Sequence, residues 1–182
     1  MNLFPRAFRA LVCTGLVAAM PLAASAQARA HVHGQMKLDI AVEGPTVVIE
    51  MESPLDNFVG FEHAPATEAE KKAAGDVVAQ LRAADQLFKI DPAANCKLGP
   101  VHLRSAALGL GKAEPGSEGH ADLDGSFAFN CTQAPEAKFI ELGLFGAFKA
   151  LRQIDAQIVT PAGQFKRSLK RPATRLSLVG GK

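Results

Sequence analysis

The sequence predicts an α+β fold, built mainly from an antiparallel β-sheet or sandwich with one main helix and short helical turns. Three observations support this fold class. Segments of alternating apolar and polar residues come in pairs separated by turn signals, as in β-hairpins. Only one long segment has apolar residues at helical spacing, and no internal repeat is present. This pattern differs from the regular strand–helix alternation of a parallel, doubly wound sheet.

The first predicted element is a β-hairpin. Residues 36–42 alternate apolar and polar side chains, residues 43–46 (Glu-Gly-Pro-Thr) form a turn signal, and residues 47–52 alternate again. Residues 55–65 are predicted to be a loop with apolar anchors, because Ser53 and Pro54 end the second strand.

The main helix is predicted to begin at Thr67. Thr67 and Glu70 have the spacing of a capping box, in which a hydroxyl and a carboxylate each accept a hydrogen bond from a free backbone amide. The apolar face is predicted to contain six residues at helical spacing: Ala69, Ala73, Ala74, Val77, Val78 and Leu81.

The rest of the chain is predicted to be mainly strand. A helical turn is expected at residues 85–88, a mobile glycine-rich loop at 108–119, and one or two helical turns at 145–151. Alternation and β-branched or aromatic content predict the remaining strands at residues 101–106, 121–131, 140–144, 154–158 and 165–169, with a last edge strand at 176–179.

The first 26 residues have the three parts of a secretory signal peptide. Arg6 and Arg9 supply positive charge, residues 10–24 are mostly apolar, and Ala24-Ser25-Ala26 provides the small residues that signal peptidase accepts. A run of about 15 residues is short for a bilayer span. We therefore expect cleavage after Ala26, a single exported domain of residues 27–182, and no membrane association after cleavage.

Charge and cysteine content limit the function classes. Removal of Arg6 and Arg9 leaves equal numbers of basic and acidic residues, so neither nucleic acid nor an anionic membrane is favoured as a partner. Cys96 and Cys131 are the cysteines of the mature chain, and an even pair in an oxidising compartment predicts one disulfide. Metal binding by both thiolates is the weaker alternative, because no Cys-x-x-Cys motif is present.

Five histidines supply the candidate chemistry, and all of them follow the signal segment. His31 and His33 would lie on one face of an extended strand, close enough to ligate one cation, although a solvated terminal pair is an equal alternative. Glu62-His63 lies in a loop, and His120 is followed two residues later by Asp122. His102 is predicted to be a surface or structural histidine and not a ligand. No nucleophile elbow, phosphate-binding glycine loop or His-Glu-x-x-His motif is present.

Five features together resemble the bacterial family of periplasmic domains that includes the zinc-regulated protein ZrgA. They are His31-Val32-His33-Gly34, Glu52-Ser53-Pro54, the block Gly60-Phe61-Glu62-His63-Ala64-Pro65, His120-Ala121-Asp122, and the two cysteines. The resemblance implies a periplasmic, non-enzymatic protein that binds zinc and assists zinc uptake, with a zinc-uptake transporter component as a partner. It implies His31, His33, His63 and His120 as the first ligand candidates, with Glu62 and Asp122 second.

One departure from the family limits this expectation. Many members carry a long histidine- and acid-rich insert before the segment that matches His120, whereas residues 109–119 of this chain contain Glu114 and Glu118 but no histidine. A single small site, or loss of the metal function, is therefore expected in place of a high-capacity site. Copper(II) and nickel(II) also accept imidazole and carboxylate ligands. A structural module without metal and a metal-dependent hydrolase with Glu62 as general base are the alternative functions.

Overall fold

Strands dominate the computed structural model, which describes residues 32–111 and 121–180. The predicted signal segment lies outside the described residues. Three α-helices occur among those residues: α1 (Asp56–Val59), α2 (Glu68–Arg82) and α3 (Leu144–Ala147). The strands there are β1 (Gln35–Glu43), β2 (Thr46–Pro54), β3 (Phe88–Ile90), β4 (Cys96–Arg104), β5 (Asp122–Cys131), β6 (Phe139–Leu142), β7 (Gln153–Thr160), β8 (Gly163–Lys170) and β9 (Arg175–Ser177).

The strands form two sheets. The larger sheet has the order β4–β5–β2–β1–β7–β8, and the smaller one has the order β3–β6–β9. All paired strands are antiparallel except β1 and β7, which run parallel. The predicted α+β class with a mainly antiparallel sheet is thus confirmed, with one parallel pairing that local alternation did not indicate.

The apolar core lies on one face of the larger sheet. Alternate residues of its strands are buried, as in Met36, Leu38 and Ile40 of β1, while Lys37 and Asp39 are exposed. The smaller sheet contributes to the same cluster of buried side chains, since the rings of Phe88 and Phe127 lie 5.0 Å apart between centroids.

Helix α2 begins as the sequence indicated. The Thr67 hydroxyl accepts from the Glu70 backbone amide at 3.2 Å, and the Glu70 carboxylate accepts from the Thr67 amide at 2.9 Å. Ala74, Val77 and Leu81 are buried, whereas Ala69 is exposed because the first turn of α2 extends beyond the core. No helix in the described part of the chain is long and apolar enough to cross a membrane.

Several predicted boundaries were wrong. The expected loop at 55–65 contains α1. The helical turn expected at 85–88 spans Ala84–Gln86, and Phe88 begins β3. The strand predicted at 140–144 ends at Leu142, and Leu144 begins α3. Strand β4 starts at Cys96 and not at 101. Leu110, in the expected mobile loop, pairs with Ser105 in an isolated bridge.

Cys96 and Cys131 form the predicted disulfide. The two residues lie directly opposite each other where β4 pairs with β5, with their Cα atoms 3.9 Å apart. The bond therefore links residues that are 35 positions apart in sequence and joins the edge strand β4 to its neighbour β5.

Candidate metal centre

Three side chains that can ligate a metal converge at the end of the larger sheet where β1 and β7 begin and β2 ends. The Nδ1 atom of His33 lies 3.1 Å from Asp56 Oδ2, and its Nε2 atom lies 3.1 Å from Glu62 Oε1. One donor atom from each residue lies within 4.8 Å of the others. The imidazole is therefore held between two carboxylates, one at each ring nitrogen.

Local backbone structure brings these residues together. His33 and Gly34 form a turn before β1, and Gly34 adopts φ 80°, a conformation that favours glycine. Helix α1 (Asp56–Val59) begins shortly after β2 and is capped by Gly60, which has φ 81°. The Gly60 amide donates to the Asp56 carbonyl. This left-handed C-cap turns the chain so that Glu62 returns to the imidazole.

A buried asparagine joins the two segments. Asn57 Oδ1 accepts from the Gly34 amide at 2.7 Å, and Asn57 Nδ2 donates to the Gln35 carbonyl at 2.8 Å. The same Nδ2 donates to Ser53 Oγ at 2.9 Å. Asn57 is 1% exposed, so these bonds form away from water, where an unsatisfied partner is costly. Asn57 thus holds the residue next to His33 against the helix that carries Asp56.

The site has a negative electrostatic character. The pKa of Asp56 is raised above its usual value, chiefly by burial and further by the Glu62 carboxylate, although the nearby His33 and the Asn57 amide act in the opposite direction. Asp56 Oδ1 is buried and accepts no hydrogen bond within residues 32–111 and 121–180. A cation near the site would offset the cost of burying the Asp56 carboxylate and the repulsion between the Asp56 and Glu62 carboxylates.

The two ring nitrogens of His33 face one carboxylate each, so each nitrogen can donate to a carboxylate when it carries a proton. If one nitrogen ligated a divalent cation and the other donated its proton, the two carboxylates would balance the charge of that cation.

The other predicted ligands occupy different positions. His63 Nδ1 lies 3.0 Å from the Ala64 carbonyl oxygen and Nε2 lies 3.9 Å from Glu70, while the ring stacks on Phe61. His63 therefore follows Glu62 in the same loop, but its side chain is not part of the three-residue group. His102 is exposed on β4, as predicted.

Asp122 lies at the same end of the sheet, because it pairs with Pro54 in the register of β5 and β2. The Ala121 carbonyl accepts from the Leu55 amide at 2.8 Å, so the segment that follows His120 adjoins the start of α1. His31 and His120 themselves lie outside the described residues, and their role as ligands stays a prediction.

Sequence reasoning misses Asp56 because residues 55–65 are predicted to be a loop, and a loop has no strand register that would pair Asp56 with His33. The hairpin itself contained the signal. Val42 pairs with Val47 and Lys37 with Glu52, and continuation of this register places position 33 opposite position 56. The register of the predicted hairpin therefore already places the Asp56 carboxylate opposite His33, the second histidine of His-x-His.

A match to a known protein family covers most of the chain. The model of the ZrgA family of zinc uptake proteins matches residues 30–178, which include His33, Asp56 and Glu62. A search of curated proteins found no match. The description of the family indicates a role in zinc uptake. Since the match covers most of the chain, this protein belongs to the ZrgA family of zinc uptake proteins.

Proposed function

We propose that this protein is a non-enzymatic periplasmic zinc-binding protein that carries zinc as cargo during uptake, with a zinc-uptake transporter component as its partner. The observation that supports the proposal most is the convergence of His33, Asp56 and Glu62. Imidazole and carboxylate are ordinary zinc ligands. The disulfide agrees with an exported location.

The geometry favours different roles for the two carboxylates. The two nitrogens of one imidazole point in different directions, so a single ion is bound through one of them. We assign Nε2 and Glu62 to the ion, because the Glu62 side chain is 39% exposed and that of Asp56 is 20% exposed. Asp56 then accepts from Nδ1–H and orients the ring, as carboxylates commonly do for histidine ligands of zinc.

Two further ligands would complete a tetrahedral site. His31 lies two residues before His33, and His120 directly precedes Ala121, which is hydrogen-bonded to the start of α1. Both are proposed as ligands because they lie close in sequence to residues at the site. His63, Asp122 or water are the other candidates for these two positions. Copper(II) and nickel(II) fit the same donors, but the family's role in uptake favours zinc.

Zinc and protons should compete for the site. Imidazole must lose a proton before it ligates a metal, so binding releases protons to solution. We expect zinc affinity to fall as pH is lowered, because protons then compete with zinc for the imidazole.

The test is equilibrium dialysis of the exported protein against zinc, with metal analysis. The protein is expected to bind about one zinc ion, and His33→Ala should lower the affinity at least tenfold, or about 1.4 kcal/mol. His102→Ala is the matched control, since His102 is exposed on β4, and it should leave the affinity unchanged. Absence of zinc binding by the parent protein would reject the proposal in favour of a structural module.

A further inference from the structure

A cluster of exposed positive side chains lies beside the candidate metal centre. The cluster, here called the basic patch, consists of Lys149, Arg152, Lys170 and Arg171, which are all exposed. The first two precede β7 and the last two end β8 and follow it. None of the four forms an ion pair with another residue in the described parts of the chain.

Backbone pairing and hydrogen bonds bring these residues together. Lys170 pairs with Gln153, the neighbour of Arg152, across β7 and β8. The Arg171 guanidinium donates to the carbonyls of Phe148 and Leu151 at 3.0 Å and to that of Lys149 at 3.4 Å. Arg171 is therefore fixed against the segment that carries Lys149 and Arg152.

The surrounding sequence does not neutralise this charge. Residues 143–180 contain seven lysines and arginines but a single acidic residue, Asp155. Asp155 accepts from the Gln153 side chain at 2.8 Å, on a strand inside the sheet. The mature chain is nearly neutral as a whole, so the positive charge of this region is balanced elsewhere in the molecule and not within the patch.

The basic patch adjoins the metal centre through Arg152. The Gly34 carbonyl, next to His33, accepts from the amides of Arg152 and Gln153 at 2.8 and 2.9 Å. The Cγ and Cδ atoms of Arg152 lie 3.3 Å from the position that a Cβ atom on Gly34 would occupy. Positive charge therefore lies directly beside a site that contains the two carboxylates of Asp56 and Glu62.

We propose that the basic patch docks an acidic, metal-ligating segment of the protein that receives the cation from this chain. The inference rests on the proposed function. A protein that accepts zinc presents carboxylates and imidazoles, and such a segment is negatively charged or neutral before it binds metal. The patch attracts that segment and holds it next to His33 and Glu62, where the ion can pass from one set of ligands to the other.

A narrow acidic segment fits this surface better than an anionic membrane. A planar bilayer that reached the patch would also face the carboxylates of Asp56 and Glu62 at the same end of the sheet, and they would repel it. A single peptide chain can contact the patch and still leave the carboxylates facing the transferred cation.

The experiment titrates metal-free protein, in the presence of a chelator, with a synthetic peptide of alternating aspartate and histidine. Binding is expected to weaken at least about tenfold when sodium chloride is raised from about 20 mM to about 200 mM. The variant Lys149→Glu with Arg152→Glu and Lys170→Glu should lose the binding. A second variant, Lys149→Glu with Lys170→Glu, leaves the Arg152 contact with Gly34 in place and should weaken binding at least about tenfold.

The matched control reverses three other exposed lysines, Lys89, Lys97 and Lys138, and so changes the net charge by the same amount. Peptide binding by this control should persist. Equal loss in the patch and control variants, or no binding by the parent protein, would overturn the proposal. Binding to vesicles that contain phosphatidylglycerol, without binding to the peptide, would overturn it in favour of a lipid surface. Because no metal is present, these results are independent of whether the parent protein binds zinc.

Discussion

At the scale of single residues, the site depends on how one imidazole is shared between two carboxylates. His33 is the only histidine of residues 32–111 and 121–180 that lies within a group of three metal-ligating side chains. His33 and Glu62 were candidates from the sequence, because His-x-His and Glu-His are patterns of local spacing. Asp56 was not, because its relation to His33 arises from strand register and not from spacing along the chain.

Local sequence reasoning also proposed a residue that lies outside the three-residue group, namely His63. It shares the Gly60–Pro65 block with Glu62, yet successive side chains of an irregular loop point in different directions. The contacts of His63 with Ala64, Phe61 and Glu70 turn it toward the start of α2. The sequence thus identified the correct loop at the site, whereas side-chain direction required the three-dimensional structure.

The different roles of Asp56 and Glu62 can be tested by two isosteric substitutions. Glu62→Gln removes a proposed ligand and should lower zinc affinity by more than about tenfold. Asp56→Asn keeps an oxygen that can accept from His33 Nδ1–H, so its effect should be smaller. Glu68→Gln is the control, since Glu68 is 91% exposed on α2. Calorimetric titration with zinc measures all three, and a larger loss in Asp56→Asn would show that the assignments are reversed.

At the scale of elements, the hairpin, α1 and the loop that follows it act together to form the site. The hairpin strands and the capping box of α2 were predicted because their signals are local. Helix α1 was not, since four residues give too short a pattern for helical periodicity and its hydrogen bonds depend on Asn57. The three-residue strand β3 escaped prediction for the same reason, because its pairing with β6 is a tertiary contact.

Removal of the Asn57 side chain should affect both stability and zinc binding. Asn57→Ala leaves the Gly34 amide and the Gln35 carbonyl buried without their partner, which should lower the free energy of unfolding by about 1–3 kcal/mol. Zinc affinity should fall as well, because the turn that carries His33 is no longer held against α1. Chemical denaturation and zinc titration measure the two effects.

A control and a double variant separate positioning from general destabilisation. Ser53→Ala removes one acceptor of Asn57 but leaves its bonds to Gly34 and Gln35, so zinc affinity should be retained. If Asn57 acts through His33, adding Asn57→Ala to His33→Ala should cause no further loss of affinity. Additive losses would indicate that the asparagine acts elsewhere in the fold.

The N-terminus of α2 should contribute a pH-dependent part of the stability. The backbone amides of Thr67 and Ala66 lower the pKa of Glu70 below its ordinary value of 4.5. A carboxyl with a lowered folded-state pKa stabilises the fold above its unfolded pKa, and this stabilisation is lost as pH falls through the folded pKa. Glu70→Gln should therefore lower the thermal midpoint near neutral pH, and its difference from the parent protein should shrink below about pH 4.5. Glu68 does not accept from those two amides, so Glu68→Gln should show no such convergence in thermal melts. A difference between Glu70→Gln and the parent protein that is constant with pH would contradict this account.

At the scale of the whole molecule, the larger sheet places the functional groups at one end. The turn before β1, the end of β2, and the starts of β5 and β7 meet there, so that His33, Asp56 and Arg152 become neighbours although they are distant in sequence. The parallel pairing of β1 with β7 is essential to this arrangement. It joins segments more than a hundred residues apart, and for this reason local alternation predicted both strands but not their contact.

The most direct test of the central claim is anomalous X-ray diffraction from crystals of the exported protein grown with zinc, with data collected on both sides of the zinc absorption edge. The account predicts a zinc peak within ligand distance of His33 Nε2 and a Glu62 carboxylate oxygen, at about 2.0–2.2 Å. It also predicts that the peak is absent in His33→Ala and present in His102→Ala. A zinc peak that occurs only at other residues, or one that persists unchanged in His33→Ala, would contradict the account.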